Sequence, residues 1–180
     1  DDVEVPVENE AEISQRIVER MAATQAENAD RHRHAHRDAH AKSHAIITGQ
    51  LTVHDDLPHE LAQGIFATPG THEVVARLSS APGDIHSDEI PAPRGFALKI
   101  IGVEGERLSP DLGGANQDFL MVNFPTLAFG TVTKYEDMLD ILEKNASNPA
   151  AAQKAVSAAA RGIASITEKL GRTPGATVQG

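Results

Sequence analysis

Four short stretches rich in β-branched and aliphatic residues occupy the middle of the chain, and they limit what it can fold into. They are AIITGQLTV (45–53), EVVARLSS (73–80), GFALKIIGV (95–103) and DFLMVN (118–123). Between them stand DDLP, TPGT, APGD and LGG, the residues that turns require. Runs of this length, punctuated in this way, read as strands. The block predicts an antiparallel sheet or barrel.

Helical patterns lie on either side. Asn9 followed three residues later by Glu12 has the form of a capping box, and Ile13, Ile17 and Met21 recur at i, i+4 and i+8. An amphipathic helix is therefore expected over residues 10–27. Thr133 with Glu136 repeats the capping pattern before the apolar face of Met138, Leu139, Ile141 and Leu142. Asn148-Pro149 supplies a cap and a proline at the first helical position, opening a helix over 148–170. Val156, Ile163 and Leu170 form its stripe, Gly171 its stop, and RTPGATVQG has the composition of a loop. The expected class is α+β, with a helical arm (1–30), a β portion (31–130), and a helical segment with a tail (131–180).

Composition narrows the function. The chain has 180 residues, no Trp, one Tyr and five Phe, so its core must be aliphatic. The absence of Cys removes disulfides, zinc-thiolate sites and cysteine nucleophiles together. A formal charge of −10 argues against nucleic acid and anionic membranes as partners. No apolar run approaches the roughly 20 residues that span a bilayer. The opening DDVEVPVENE is acidic and unlike a signal sequence, so a mature soluble protein is expected, cytoplasmic or periplasmic.

RHRHAHRDAHAKSHA (31–45) holds five of the nine histidines. On a helix His36, His40 and His44 would share one face, and imidazoles at i and i+4 can share a metal. Against this, Arg31, Arg33, Arg37 and Lys42 are interleaved, and Asp38 is the only carboxylate nearby. On composition alone the run reads as a solvated polar segment.

Read with the strands that follow, RDAHAKSHA resembles the active-site stretch of the heme catalases, Arg-x-x-His-x-Lys-Gly. Arg37, His40 and Lys42 match, and Ser43 stands where the family has glycine. RLSS (77–80) resembles the family's Arg-Phe-Ser segment. PRGFALKIIGVEG (93–105) is similar to its Pro-Arg-Gly-Phe-Ala-Val-Lys strand, and MVNFPTLAF (121–129) to its Asn-Thr-Pro stretch. Four matches in order span residues 37–129. They are most similar to the small bacterial catalase-like proteins with peroxidase activity.

The resemblance implies a catalase-like antiparallel β-barrel, a heme b cofactor with its iron, and peroxide with a small-molecule reductant as substrates. His40 would be the distal acid–base group, since imidazole can take a proton from one peroxide oxygen and return it to the other. Asn123 would orient peroxide through its amide. Ser79 would accept from the second ring nitrogen of His40. Arg37 and Arg77 would meet the heme propionates, while Arg94 would hold its strand. His44 takes no family role.

Two departures stand out. The spacing between His40 and Gly49 is off by one residue, which predicts a bulge or a shifted start in the following strand. No proximal iron ligand is evident either: Tyr135, in TVTKYEDML, lacks the arginine one turn before it and reads as a packing residue. The axial tyrosine is expected outside residues 1–180. The chain then represents an incomplete barrel, completed by the remainder of the catalase-like polypeptide as a second chain, in what is expected to be a homo-oligomer. Two other functions compete: a catalase-fold binding protein without heme chemistry, and a His-rich metal-binding protein.

Overall fold

The computed structural model describes residues 6–105, 114–123 and 129–162. Its elements run α1 (Glu10–His32), β1 (Ser43–Val53), a 3-10 turn (Gly64–Phe66), β2 (Gly70–Ser80), β3 (Arg94–Ile101), β4 (Asn116–Val122), α2 (Val132–Lys144) and α3 (Pro149–Gly162). The class is α+β, as the patterns predict. By contacts the chain divides into two units. One comprises Asp1–Lys42, Ser80–Arg94 and Val122–Gly180, and the other Ser43–Ser79 and Gly95–Met121.

The first unit is helical. Glu10 and Glu12 sit in the first turn of α1 and Arg31 and His32 in its last, the arrangement that the helix dipole favours. The expected capping box does not form. Asn9 is left-handed (φ 59°) and its side chain caps nothing, while the Val7 N–H donates to Glu10 Oε2 at 2.9 Å. α1 also runs five residues past the predicted Glu27, to His32, and is capped by Arg33 in the left-handed region (φ 53°), whose N–H closes on the Ala29 carbonyl. α2 starts at Thr131, whose hydroxyl accepts from the Lys134 N–H at 3.4 Å. The Thr133–Glu136 box is thus replaced, because Glu136 is drawn into a two-pronged pair with Arg16 (2.8 and 3.1 Å). α3 begins as predicted, with Asn148 Oδ1 accepting from the Ala151 N–H at 3.0 Å. Ile163, Leu170 and Gly171 lie outside the described residues, as do 124–128 after Asn123.

Ile13, Ile17 and Leu139 form the buried centre between α1 and α2, with Met21, Val132, Tyr135 and Leu142 packed around them. Arg20 reaches Asp140 and Glu143, both at 2.7 Å, and the hydrogen bond to Glu143 raises its pKa. These exposed pairs set the register of the two helices more than they stabilise them.

The second unit is a sheet in the order β1-β2-β3-β4, each strand beside its neighbour in sequence. The sheet is antiparallel and open; the described residues do not close it into a barrel. β1 and β2 pair from Val53↔Gly70 to Ser43↔Ser79, and the register shifts between Ser43 and Ala45. His44 is the extra residue of a β-bulge, which the one-residue departure in the sequence predicts. Val53, Ala76 and the wholly buried Ile100 are the sheet's buried apolar side chains among the described residues. Lys99 pairs with Asp118 across β3 and β4 at 2.7 Å. Apolar side chains also stand in the open, Leu120 on β4 being 85% exposed. No helix among the described residues is long and apolar enough to cross a membrane.

Candidate active site

Between Arg33 and β1 the chain is not helical, so the shared helix face drawn for His36, His40 and His44 does not exist. His36 and His40 lie on an irregular segment and His44 in the bulge of β1. The cause is that the end of α1 itself captures the start of this segment. The His34 N–H donates to the Ala29 carbonyl (3.1 Å), and Gln25 Nε2 donates to the His36 carbonyl (2.6 Å). The His36 ring packs on those of His32 and His34, with centroids 4.9 and 5.3 Å away. Among the described residues no group of three His, Asp or Glu side chains is arranged to hold a metal ion.

His40 is held from behind. Its N–H donates to the Ala81 carbonyl (2.9 Å), Ala41 N–H to the Pro82 carbonyl (3.2 Å), and Ser80 N–H to the Lys42 carbonyl (3.0 Å). This short ladder fixes His40 in the left-handed region (φ 53°), a conformation that costs a non-glycine residue about 1 kcal/mol or more. Gly83 lets the two segments meet: a Cβ there would fall 2.1 Å from the Asp38 carbonyl oxygen.

Asn123 is held on two sides by Arg94. Its N–H donates to the Arg94 carbonyl (3.0 Å), and its Oδ1 accepts from the Arg94 N–H (2.7 Å). A backbone N–H only donates, so the side-chain oxygen faces Arg94 and the NH₂ is left to donate elsewhere. Arg94 in turn donates from its guanidinium to Ser80 Oγ, and the Ala81 N–H donates to the Pro93 carbonyl at 2.9 Å. Hydrogen bonds therefore run from His40 through Ala81, Pro93 and Arg94 to Asn123, all within the helical unit.

Arg37 belongs to the same unit. It is exposed and makes no ion pair among the described residues. Arg77 and Ser79 belong to the sheet unit, two apart on β2 and so on one face, opposite Ile46 and Ser43; Ser79 is buried. The structure thus gathers His40 and Asn123 into one framework and places Arg77 and Ser79 together on another. The sequence reading missed Gly83 and Ser80. It gave Arg94 a strand-holding role, and this residue also fixes the amide of Asn123.

Tyr135 lies in the α1–α2 core with its hydroxyl 3.9 Å from Met21 Sδ. Burial and the nearby Asp38 push its phenol up from 10.0, away from the tyrosinate that an iron ligand must be. Packing is its role here.

The loop behind His40 is electrically crowded. Asp84 binds Arg31 Nη1 (2.7 Å), His32 Nε2 and the Ile85 N–H (2.7 Å). Burial alone would raise its carboxyl, but the bonds from His32 and Ile85 and the nearby His86 outweigh it, so the net shift is downward. His86 is pushed below 6.5 by burial and by Arg31, His32 and Lys42, against the pull of Asp84. Compared with protein-family models, curated proteins and solved structures, the chain finds no match, and the site rests on its own geometry and motifs.

Proposed function

We propose that the chain carries the distal side of a heme-dependent, catalase-like peroxidase acting on hydrogen peroxide or organic peroxides. The observation that supports this best is the fixed amide of Asn123, in a hydrogen-bonded framework that also holds His40. A group meant to donate to a peroxide oxygen needs its own oxygen turned away, and Arg94 turns it. Heme b supplies the redox centre when bound. Cleaving the O–O bond takes two electrons, which the small-molecule reductant returns, and two protons. His40 moves a proton between the peroxide oxygens, and Asn123 steadies the developing charge without titrating. Arg37 suits a propionate, being an exposed guanidinium with no carboxylate on it among the described residues. The roles of Arg77 and Ser79 rest on the RLSS motif. On this reading the open sheet is part of a barrel that a second chain completes, bringing the axial tyrosine.

Hemin titrated into the protein together with the chain that completes the barrel, followed by its Soret band and then by peroxide-driven oxidation of guaiacol, tests the reading. His40→Ala should keep the Soret band and lower peroxide turnover about 100-fold or more. Asn123→Ala should lower it less, because water can partly replace the amide. Failure to bind hemin with the completing second chain present, or turnover at the parent rate in His40→Ala, overturns the proposal.

A further inference from the structure

Residues 80–88 touch three parts of the helical unit at once. They hold the His40 segment through the ladder at Ser80, Ala81 and Pro82. They hold the end of α1 through Asn28 Nδ2 on the Gly83 carbonyl (3.1 Å) and through Arg31 and His32 on Asp84. They also hold Lys42, whose ammonium donates to the His86 carbonyl (2.9 Å) and pairs with Asp88 (2.8 Å). Asn28 is only 4% exposed, so its bond to Gly83 is shielded from water.

Partly buried His86 sits in the middle of this strap. Lys42, from the segment before β1, bonds its carbonyl, and Arg31 and His32, from α1, both bind Asp84 two residues before it; all four groups act on the His86 ring through charge. Asp84 already serves Arg31 and His32, and Asp88 serves Lys42, so a proton on His86 sets a fourth positive group against two carboxylates. We propose that residues 81–88 form an acid-released latch on the His40 segment, opened by protonation of His86 among Arg31, His32 and Lys42. When the strap lifts, the bonds from the His40 and Ala41 amides to Ala81 and Pro82 are lost with it.

The sign follows from which state binds the proton better. The folded value of His86 lies below its ordinary 6.5, so the unfolded or lifted strap takes up the proton first. The latch is complete above that ordinary value and weakens as the pH falls through the folded one. Asp84, also lowered, adds a second loss only in the more acidic carboxylate range, below its ordinary 3.8.

That the latch regulates peroxide chemistry rests on the function proposed above; that it opens does not. Amide hydrogen exchange at His40 and Ala41, corrected for the intrinsic pH dependence, reads the opening without heme or peroxide between about pH 8 and pH 5. The Tyr135 amide, bonded to the Thr131 carbonyl at 2.9 Å, is the internal reference for global unfolding. Protection at His40 and Ala41 should fall several-fold on acidification while Tyr135 holds. In His86→Gln the fall should disappear, and in Asp84→Asn protection should be low throughout. If His86→Gln shows the parent's fall, or the parent shows none, the latch is refuted; should His86→Gln fail to fold, His86→Asn and the parent's profile decide in its place.

Discussion

The two units of this chain are held together by different means. In the helical unit long side chains do much of the joining: Arg16 and Arg20 reach from α1 to α2, Asn28 and Arg31 to the 80–88 strap, and Arg94 to Ser80. In the sheet unit backbone ladders join the strands, with side-chain ties at Lys99–Asp118 and Gln50–Glu73, while Ile46, Ile47, Leu120 and Met121 remain exposed. The difference teaches where conformation is specified. Polar side chains with fixed partners define the surroundings of His40 and Asn123, whereas the sheet depends on ladder and register.

Core truncations give the largest effects and the sharpest test of that contrast. Leu139→Ala should destabilise the protein by about 2–4 kcal/mol in denaturant unfolding, since it empties the α1–α2 centre. Ile100→Ala removes the sheet's wholly buried side chain and should cost a similar amount; a much smaller cost would mean that the ladder alone carries the sheet. Next comes Gly83→Ala, which forces a Cβ onto the Asp38 carbonyl. About 1–3 kcal/mol is expected, with faster amide exchange at His40 and little change at Tyr135. Asn28→Ala leaves the Gly83 carbonyl without its shielded donor and should cost about 1 kcal/mol in the same unfolding measurement. Arg20→Ala should cost about 0.5 kcal/mol and lose even that at high salt, because its partners are half exposed. Leu120→Thr should change stability by less than about 0.5 kcal/mol, and light scattering should report less self-association.

Much of this architecture is legible in the sequence. Each of the four strands lies within three residues of its predicted bounds, because turn residues and β-branched runs are local signals. Asn148-Pro149 opens α3 for the same reason. The end of α1 is not legible. Its apolar period fades after Met21, and its stop is an arginine in a conformation usually marked by glycine. The loop form of 34–42 is hidden too, since its hydrogen-bond partners lie some forty residues away at Ala81 and Pro82. His40 and Asn123 could be named from motifs, but the turning of the Asn123 amide depends on its meeting the Arg94 backbone, which no motif encodes.

The extra residue at His44 works as a phase shift in the count of the chain. Downstream of it every side chain of β1 is assigned to a face by its pairing with β2; upstream, Ser43 pairs with Ser79 out of that alternation. Deleting His44 would leave the ladder from Ala45 to Val53 intact and move Ser43 by one residue against β2, turning its side chain to the other face. At this exposed position length itself therefore carries information. Single-residue insertions and deletions should be tolerated in the 54–63 connection and rejected between Lys42 and Ala45, whatever residue is added or removed.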